Sequence, residues 1–460
     1  MKALTLRQLA HLLDARVSGD PSQVVTAIST DSRNVRPGEL FFALRGDRFD
    51  GHDFVTDVLA RGAIPVVSKP LPEGAPGLLV ADTQHALDAL GRALRNLHPG
   101  RVIAVTGSVG KTTVKDMIAA AVTDFGDVTK TIGNFNNHIG LPLTLAATTG
   151  TEKFLVLELG MSAPGEIARL THIARPHVAV VTCAAAAHLE FFADVDAIAD
   201  AKAELYEHAA PSTRAIVNAD DPRMTLRASR MTKDAMSFGH TEDATVRALS
   251  ARHTPRGLEV TLDLPQPHSS VTFELMALGL HQAQNAACAI AACLALGLDP
   301  ARAAASLARH FKPPKHRLQP VHFGTLTVLD DCYNASPTSM KAALRTLNEV
   351  SNGPRGAILG SMRELGETSD ALHTDIGRLC EGLAFVACTG AHADALARGA
   401  REARVETILT APDLATLMPT LASLATTVSH LLVKGSRGER LERIFSIFET
   451  LENQAKEEKA

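Results

Sequence analysis

The stretch RVIAVTGSVGKTTVK, residues 101–115, decides the fold. Its opening VIAV (102–105) is a short apolar, β-branched run that reads as a buried strand. It leads directly into Thr106, Gly107, Ser108, Val109, Gly110, Lys111, Thr112 and Thr113, and KDMIAAAV follows with a helical pattern. A strand, a glycine loop and a helix that starts on Lys and Thr form the architecture of a phosphate-binding loop. Glycines let backbone N–H groups converge on phosphate oxygens, and the helix adds its positive N-terminal end. Lys111 would neutralise the outer phosphates, and the Thr112 hydroxyl can ligate Mg²⁺. The loop departs from the common G-x-x-x-x-G-K-[ST] pattern, with Val105 where the first glycine would stand. An ordinary strand-to-helix turn bearing a surface lysine is the competing reading. The strand before the loop and the helix after it favour a nucleotide.

A chain of 460 residues is too long for one ordinary domain. Its 45% hydrophobic content and alternating strand and helix patterns suit an α/β protein. A formal net charge of −4 and 4% aromatic residues argue against a nucleic-acid coat or a base-stacking platform. Cys183, Cys288, Cys293, Cys332, Cys380 and Cys388 form no C-x-x-C pair. They read as buried free thiols in a reducing compartment. The N-terminal MKALTLRQLAHLLDARV is an amphipathic helix pattern, not a signal peptide, and no run is long enough to span a membrane. The expected location is the cytoplasm, without membrane insertion.

Three units follow in order. Residues 1–98 form a small α/β unit with strands at LFFAL, PVVSK and LLVAD. STDSR (29–33) precedes the first of these and RGDRFDGH (45–52) follows it, clusters that suit either an anionic ligand or a capped turn beside a charged loop. Leu97, His98, Pro99 and Gly100 are expected to be a linker into a central unit, 99–313. Its strands at FLVLELG, HVAVVTC and RAIVNAD alternate with helices, which predicts a parallel, doubly wound sheet with ligands at the strand ends near Glu158, Cys183 and Asp220. The loop TIGNFNNHIG (131–140) could position anionic groups with its amides. Prolines and basic residues at 312–315 mark a second linker. A third α/β unit, 314–460, again parallel, carries LTVLDDCY, GAILGSM, FVACTG and HLLVKGS.

Taken together, TDSRNVRPGELFFALRGDRFDGHDF, TGSVGKTT, GNFNNHIGLPLT, DDCYNASPTSMKAAL, LGSMRELGE and VKGSRG resemble the Mur ligases of peptidoglycan synthesis across all three units. The family's phosphate loop also lacks the first glycine. DDCYNASP, and the absence of the D-N-P-R motif of the ligase that adds the third amino acid, point to the member that adds a dipeptide. The resemblance implies a UDP-binding first domain, a central ATPase domain with a mostly parallel sheet, and a Rossmann-like C-terminal domain closing over ATP. It implies ATP-dependent joining of D-alanyl-D-alanine to UDP-N-acetylmuramoyl-tripeptide through an acyl phosphate, by a monomer using ATP and two Mg²⁺ sites.

Residue by residue, the resemblance places ATP on Gly107, Ser108, Val109, Gly110, Lys111, Thr112, Thr113, His281, Asn285, Arg317, Asp331, Tyr333 and Asn334. Thr112 serves a first Mg²⁺; Glu158 and His188 serve a second, helped by Lys202 if it carries a carbamate. By spacing alone Lys202 is a neighbour of Glu204 on a solvated helix. Ser29, Thr30, Ser32, Arg33, Arg45 and Gly46 would hold the uridine diphosphate. Asn134, Asn137 and His138 would line the reacting centre, and Lys434, Ser436 and Arg437 the dipeptide end. Departures are the four alanines 184–187, Gln282, Ser361 and Ala335-Ser336-Pro337. Two alternatives stay open: another amino-acid substrate, or a nucleotide-binding relative without chemistry. The alanines before His188 motivate the second; Lys111, Thr112, Glu158, His188 and Lys202 argue against it.

Overall fold

The structure, a computed structural model, describes residues 1–450 apart from 47, 188 and 232–234. The apolar run at 101 forms the strand Arg101–Thr106, buried from Val102 onward. It lies in a nine-stranded sheet between two parallel neighbours, Val178–Val181 and Phe154–Glu158. Val128–Lys130 forms the edge beyond Phe154–Glu158; Arg214–Asn218 and Met236–Gly239 continue the other side. The chain therefore fills one side of the central strand, crosses over it and fills the other. Such a reversal opens a crevice at the carboxyl ends of the strands. Those ends carry Gly107, Glu158 and Thr182.

The far side of this sheet departs from the parallel expectation. Val246–Thr254, Gly257–Asp263 and Val271–Leu275 form an antiparallel meander. Only Pro255 and Arg256 separate the first two strands, too short a connection for a parallel crossover. Alternate side chains on these strands face solvent, so they lack the continuous apolar run by which the parallel strands are legible.

The first sheet runs in the order Arg16–Ser18, Gly77–Leu79, Ile64–Val67, Leu40–Phe42, Ile28–Ser29, parallel except for its first pair. Beside it the helix Leu6–Leu13 buries Leu6, Leu9, Ala10 and Leu13, one face of a helical period. Thr5 and Gln8 close a capping box at its start, worth about 1 kcal/mol. The supposed linker at 97–100 is packed. Helix Thr83–Leu97 lies against the central unit, where Arg169 pairs with Asp88 at 2.6 Å and Arg95 donates to the Ala174 carbonyl. His98 is buried and bonded to Glu152 at 3.0 Å. One apolar core runs from Leu6 and Leu40 through Leu87 to Val102 and Leu155, so the first two sheets share an interior.

The C-terminal sheet runs Gln319–Phe323, Leu326–Asp331, His430–Lys434, Arg355–Gly360, Phe385–Thr389, Thr407–Ala411. It is parallel except for its first strand, a hairpin partner of the second. The carboxyl ends of its three middle strands carry Asp331, Lys434 and Ser361. None of the described helices is long and apolar enough to cross a membrane.

Candidate active site

The central and C-terminal strand ends face each other across a cleft of about 740 Å³. The 101–115 stretch supplies its floor. Gly110 caps the helix Lys111–Val122 at φ 86°, a left-handed conformation that favours glycine. At Gly107, φ is 146° and a Cβ would lie 1.8 Å from Thr182 Oγ1. The loop is latched to the next strand: Thr182 Oγ1 donates to the Val109 carbonyl at 2.6 Å, and Ser108 N–H donates to the Cys183 carbonyl at 2.8 Å. The Ser108 hydroxyl donates to the Ala185 carbonyl and accepts from the Ala185 N–H. The four-alanine departure is thus built into the loop's support through its backbone. Asp221 accepts from the Ala184 N–H at 2.7 Å.

Lys111 folds back on the loop, donating to the Gly107 carbonyl at 2.7 Å. Burial lowers its pKa, Glu158 opposes that shift, and Arg317 adds to it. Thr112 accepts from the Arg317 guanidinium at 3.1 Å, a direct link between the central and C-terminal units. Arg317 also stacks on Tyr333, 4.4 Å from the ring centroid.

Glu158 ends its strand almost fully buried. Asn136 donates to its Oε1 at 2.9 Å, while its Oε2 is buried without a partner among the described residues. A buried carboxylate oxygen left unpaired is costly, and a cation on it removes the penalty. The donor set of Glu158 and the Thr112 hydroxyl is all oxygen, which suits Mg²⁺. Lys202 is buried behind the loop and makes no hydrogen bond or ion pair among the described residues. Burial, then the neighbouring Lys111, lowers its pKa well below that of a free lysine. The solvated-helix reading of Lys202 is therefore wrong: its helix Val195–Glu207 turns that face inward. His188 lies outside the described residues.

Asn134, Asn137 and His138 line the cleft. The Asn137 side-chain oxygen accepts from Ile139 and Gly140 N–H groups, so it caps the helix Gly140–Ala146. Asn136, not singled out in the sequence, is the amide that meets Glu158. Within an irregular loop holding three asparagines, nothing in their spacing shows which one turns inward. Thr182 and Gln284 were also missed; Gln284 donates to Asn218 and Asp220 at the cleft wall.

His281 and Asn285 line the same cleft, with His281 half-buried and its pKa lowered to about 4 by desolvation. From the C-terminal unit come Arg317, Asp331, Tyr333, Asn334, Lys434, Ser436 and Arg437. Lys434, expected at the dipeptide end, is buried and ion-paired with Asp331 at 2.6 Å, and donates to the Asn334 carbonyl at 3.0 Å. Ser436 accepts from the Arg363 N–H, and Arg437 pairs with Glu442 at 3.2 Å.

Ser29, Thr30, Ser32, Arg33, Arg45 and Gly46 do not line this cleft. They follow the parallel strands Ile28–Ser29 and Leu40–Phe42 at one edge of the first sheet. Arg33 grips Asp31 through two bonds of 2.9 and 2.8 Å and lowers the Asp31 carboxyl to about 2, while its own side chain remains 82% exposed. Arg45 and Lys69 both reach Asp50, which also accepts from the buried His52.

A nucleotide-type loop, a set of oxygen donors suited to a cation and a facing α/β unit are the parts of an ATP-dependent ligase, and the comparisons agree on that class. Family models match at residues 24–93 (Mur ligase family, catalytic domain), 105–293 (Mur ligase middle domain) and 316–437 (Mur ligase, glutamate ligase domain). The UDP-N-acetylmuramoyl-tripeptide–D-alanyl-D-alanine ligase of Escherichia coli K12 is 36% identical over 452 residues, 96% of this chain and 98% of that one. A crystal structure of MurF from Acinetobacter baumannii superposes with a TM-score of 0.90 at 32% identity, covering 98% of this chain and 99% of that one. MurF from Thermotoga maritima, solved in complex with ADP, superposes at 0.83 with 28% identity, covering 93% and 98%. The chain belongs to the Mur ligase family.

Proposed function

We propose that this chain joins D-alanyl-D-alanine to UDP-N-acetylmuramoyl-tripeptide at the expense of ATP, forming the pentapeptide precursor of peptidoglycan, ADP and phosphate. The observation that supports the reading is that Lys111 and the buried Glu158 carboxylate line one cleft with Arg317 and Asp331, Glu158 Oε2 being unbonded among the described residues. The Escherichia coli relative named for this reaction is matched over 98% of its length.

A carboxylate does not react with an amine at neutral pH, because its carbon is shielded by charge and resonance. A tripeptide carboxylate oxygen attacks the γ-phosphorus, the bond to the β-phosphate oxygen breaks, and ADP leaves. The amine of the dipeptide then attacks the acyl carbon and loses a proton, and phosphate departs with the former carboxylate oxygen. Such transfers need alignment and neutralised charge more than covalent help from the protein. Lys111 and the N–H groups of residues 107–113 neutralise and orient the β- and γ-phosphates. Arg317 reaches the same place from the opposite unit and closes the cleft against water. His281 and Asn285 flank the nucleotide, while Asp331, Tyr333 and Asn334 hold the adenosine.

Thr112, Glu158 and His188 would hold Mg²⁺ in two sites, together with Lys202 as its carbamate; the bound cation offsets phosphate charge beside the acceptor carboxylate. Asn136 fixes the Glu158 rotamer for that task. The exposed Arg33 and Arg45, with Ser29, Thr30, Ser32 and Gly46, take the uridine diphosphate at the first sheet. Asn134, Asn137 and His138 border the reacting carboxylate, and Ser436 and Arg437 border the dipeptide. The units divide at 1–98, 99–313 and 314–460, and the enzyme works as a monomer in the cytoplasm without nucleic-acid partners.

The test is phosphate release from ATP with UDP-N-acetylmuramoyl-tripeptide, with and without D-alanyl-D-alanine. Release that requires both substrates supports the ligase. Turnover with protein and ATP alone, or none with all three substrates, overturns it.

A further inference from the structure

Behind the strand that carries Asp331, a second cluster of ligand atoms has no part in the ligase reaction. Side chains alternate along a strand. Asp331 and Tyr333 reach the cleft, whereas Asp330 and Cys332 do not line it. These two meet His316, which enters from the preceding segment at φ 61°. His316 Nδ1 lies 2.7 Å from Asp330 Oδ2 and 3.6 Å from Cys332 Sγ, and Cys332 Sγ lies 3.0 Å from Asp330 Oδ1. All three donors fall within 4.8 Å of one another. Asp330 and Cys332 are buried; the His316 side chain is 30% exposed, so water has access on its side.

We propose that His316, Asp330 and Cys332 form a binding site for a thiophilic divalent cation of the zinc type, distinct from the Mg²⁺ site at Glu158. One nitrogen, one oxygen and one sulfur ligand with a water-accessible fourth position is a donor set that suits zinc and disfavours magnesium. A tetrahedral zinc with bonds of about 2.0 Å to N and O and about 2.3 Å to S needs ligand separations of about 3.3–3.5 Å. The N···S distance already meets that requirement; the short N···O and S···O contacts use different oxygens of Asp330, so a carboxylate binding through one oxygen opens its own short contact by about half an ångström and turns the other oxygen away. Entry of the cation displaces one proton from the Cys332 thiol. A neutral imidazole carries its proton on Nε2 and binds through Nδ1; an imidazolium releases a second proton. No electrons are transferred.

The site has a structural consequence for the cleft. The Tyr333 N–H donates to the His316 carbonyl at 3.1 Å, so the two segments that bear Arg317, Asp331 and Tyr333 are already joined there. A bound cation adds a second tie between them from the side away from ATP.

The experiment is a titration of the full-length protein with cobalt(II) chloride in buffer containing excess Mg²⁺. Expected are a thiolate-to-cobalt charge-transfer band and the visible bands of a four-coordinate ion, saturating at one cobalt per chain and bleached by zinc. Cys332→Ala removes the charge-transfer band, and His316→Asn weakens binding by at least about tenfold. Melting curves in EDTA show whether each variant is folded. If Cys332→Ala does not fold, His316→Asn, at the less buried position, carries the test: lost affinity supports the site and unchanged affinity overturns it. Absence of the band in the wild type, its persistence in folded Cys332→Ala, or its suppression by Mg²⁺ also overturns the proposal.

Discussion

Replacing Lys434 by methionine tests what the C-terminal wall of the cleft rests on. The Lys434 ammonium is 2.6 Å from Asp331 Oδ2, and the two side chains are 2% and 12% exposed. Methionine preserves the apolar stem and removes the charge, leaving Asp331 with the Leu318 N–H as its remaining bond inside the unit. Breaking one side of a buried pair typically costs about 3–5 kcal/mol. Protonation limits the loss, since taking up a proton at about pH 8 costs an ordinary aspartate about 5.6 kcal/mol, and at about pH 5 about 1.5 kcal/mol. Burial already raises the Asp331 pKa against the pull of Lys434, and losing the lysine raises it further. A carboxyl raised in the folded state contributes stability that is present below the ordinary carboxylate range and lost as pH rises through the raised value. The deficit of Lys434→Met relative to wild type therefore grows with pH.

Native-state hydrogen exchange at Leu329 and Leu432, paired in the two adjoining strands, reads the local opening energy. A deficit below about 1 kcal/mol at about pH 8, or one that does not change with pH, refutes the reasoning. The same variant separates two roles for Lys434. If the lysine holds Asp331 at the adenosine, KM for ATP rises and KM for D-alanyl-D-alanine does not; the reverse pattern returns Lys434 to the dipeptide.

Lys111→Ala is expected to reduce turnover by about 3 kcal/mol or more in activation free energy while the melting temperature holds; activity within about threefold of wild type excludes its charge-neutralising role. Gly107→Ala puts a methyl group 1.8 Å from Thr182 Oγ1, so nucleotide binding by calorimetry should be lost, and retained affinity would show that the loop yields. Lys202→Ala should lose activity and regain part of it with added acetate, which occupies the anionic place of a carbamate. A lysine without that modification predicts no response to acetate. The lowered Lys202 pKa favours the unprotonated amine that carbamylation needs, so wild-type activity should rise with bicarbonate more strongly at alkaline than at acidic pH.

The strand-loop-helix at 101–122, the parallel strands around it and the ligase family are all legible in the order of residues alone. Buried parallel strands read as unbroken apolar runs, and the phosphate loop is local: its glycines, lysine and threonine act within one turn of chain. The antiparallel meander at 246–275 escaped because its strands are half solvated and their pattern is diluted with polar residues. Only the tertiary structure could decide the partners of buried charges. Asn136 rather than its neighbours meets Glu158, and Lys434 meets Asp331 across about a hundred residues of chain. Lys202 turns into the interior on the helix face it shares with Ile198, Ala199, Leu205 and Tyr206. Each outcome depends on which side chains share a desolvated space, and desolvation is a property of the packed chain, not of spacing along it.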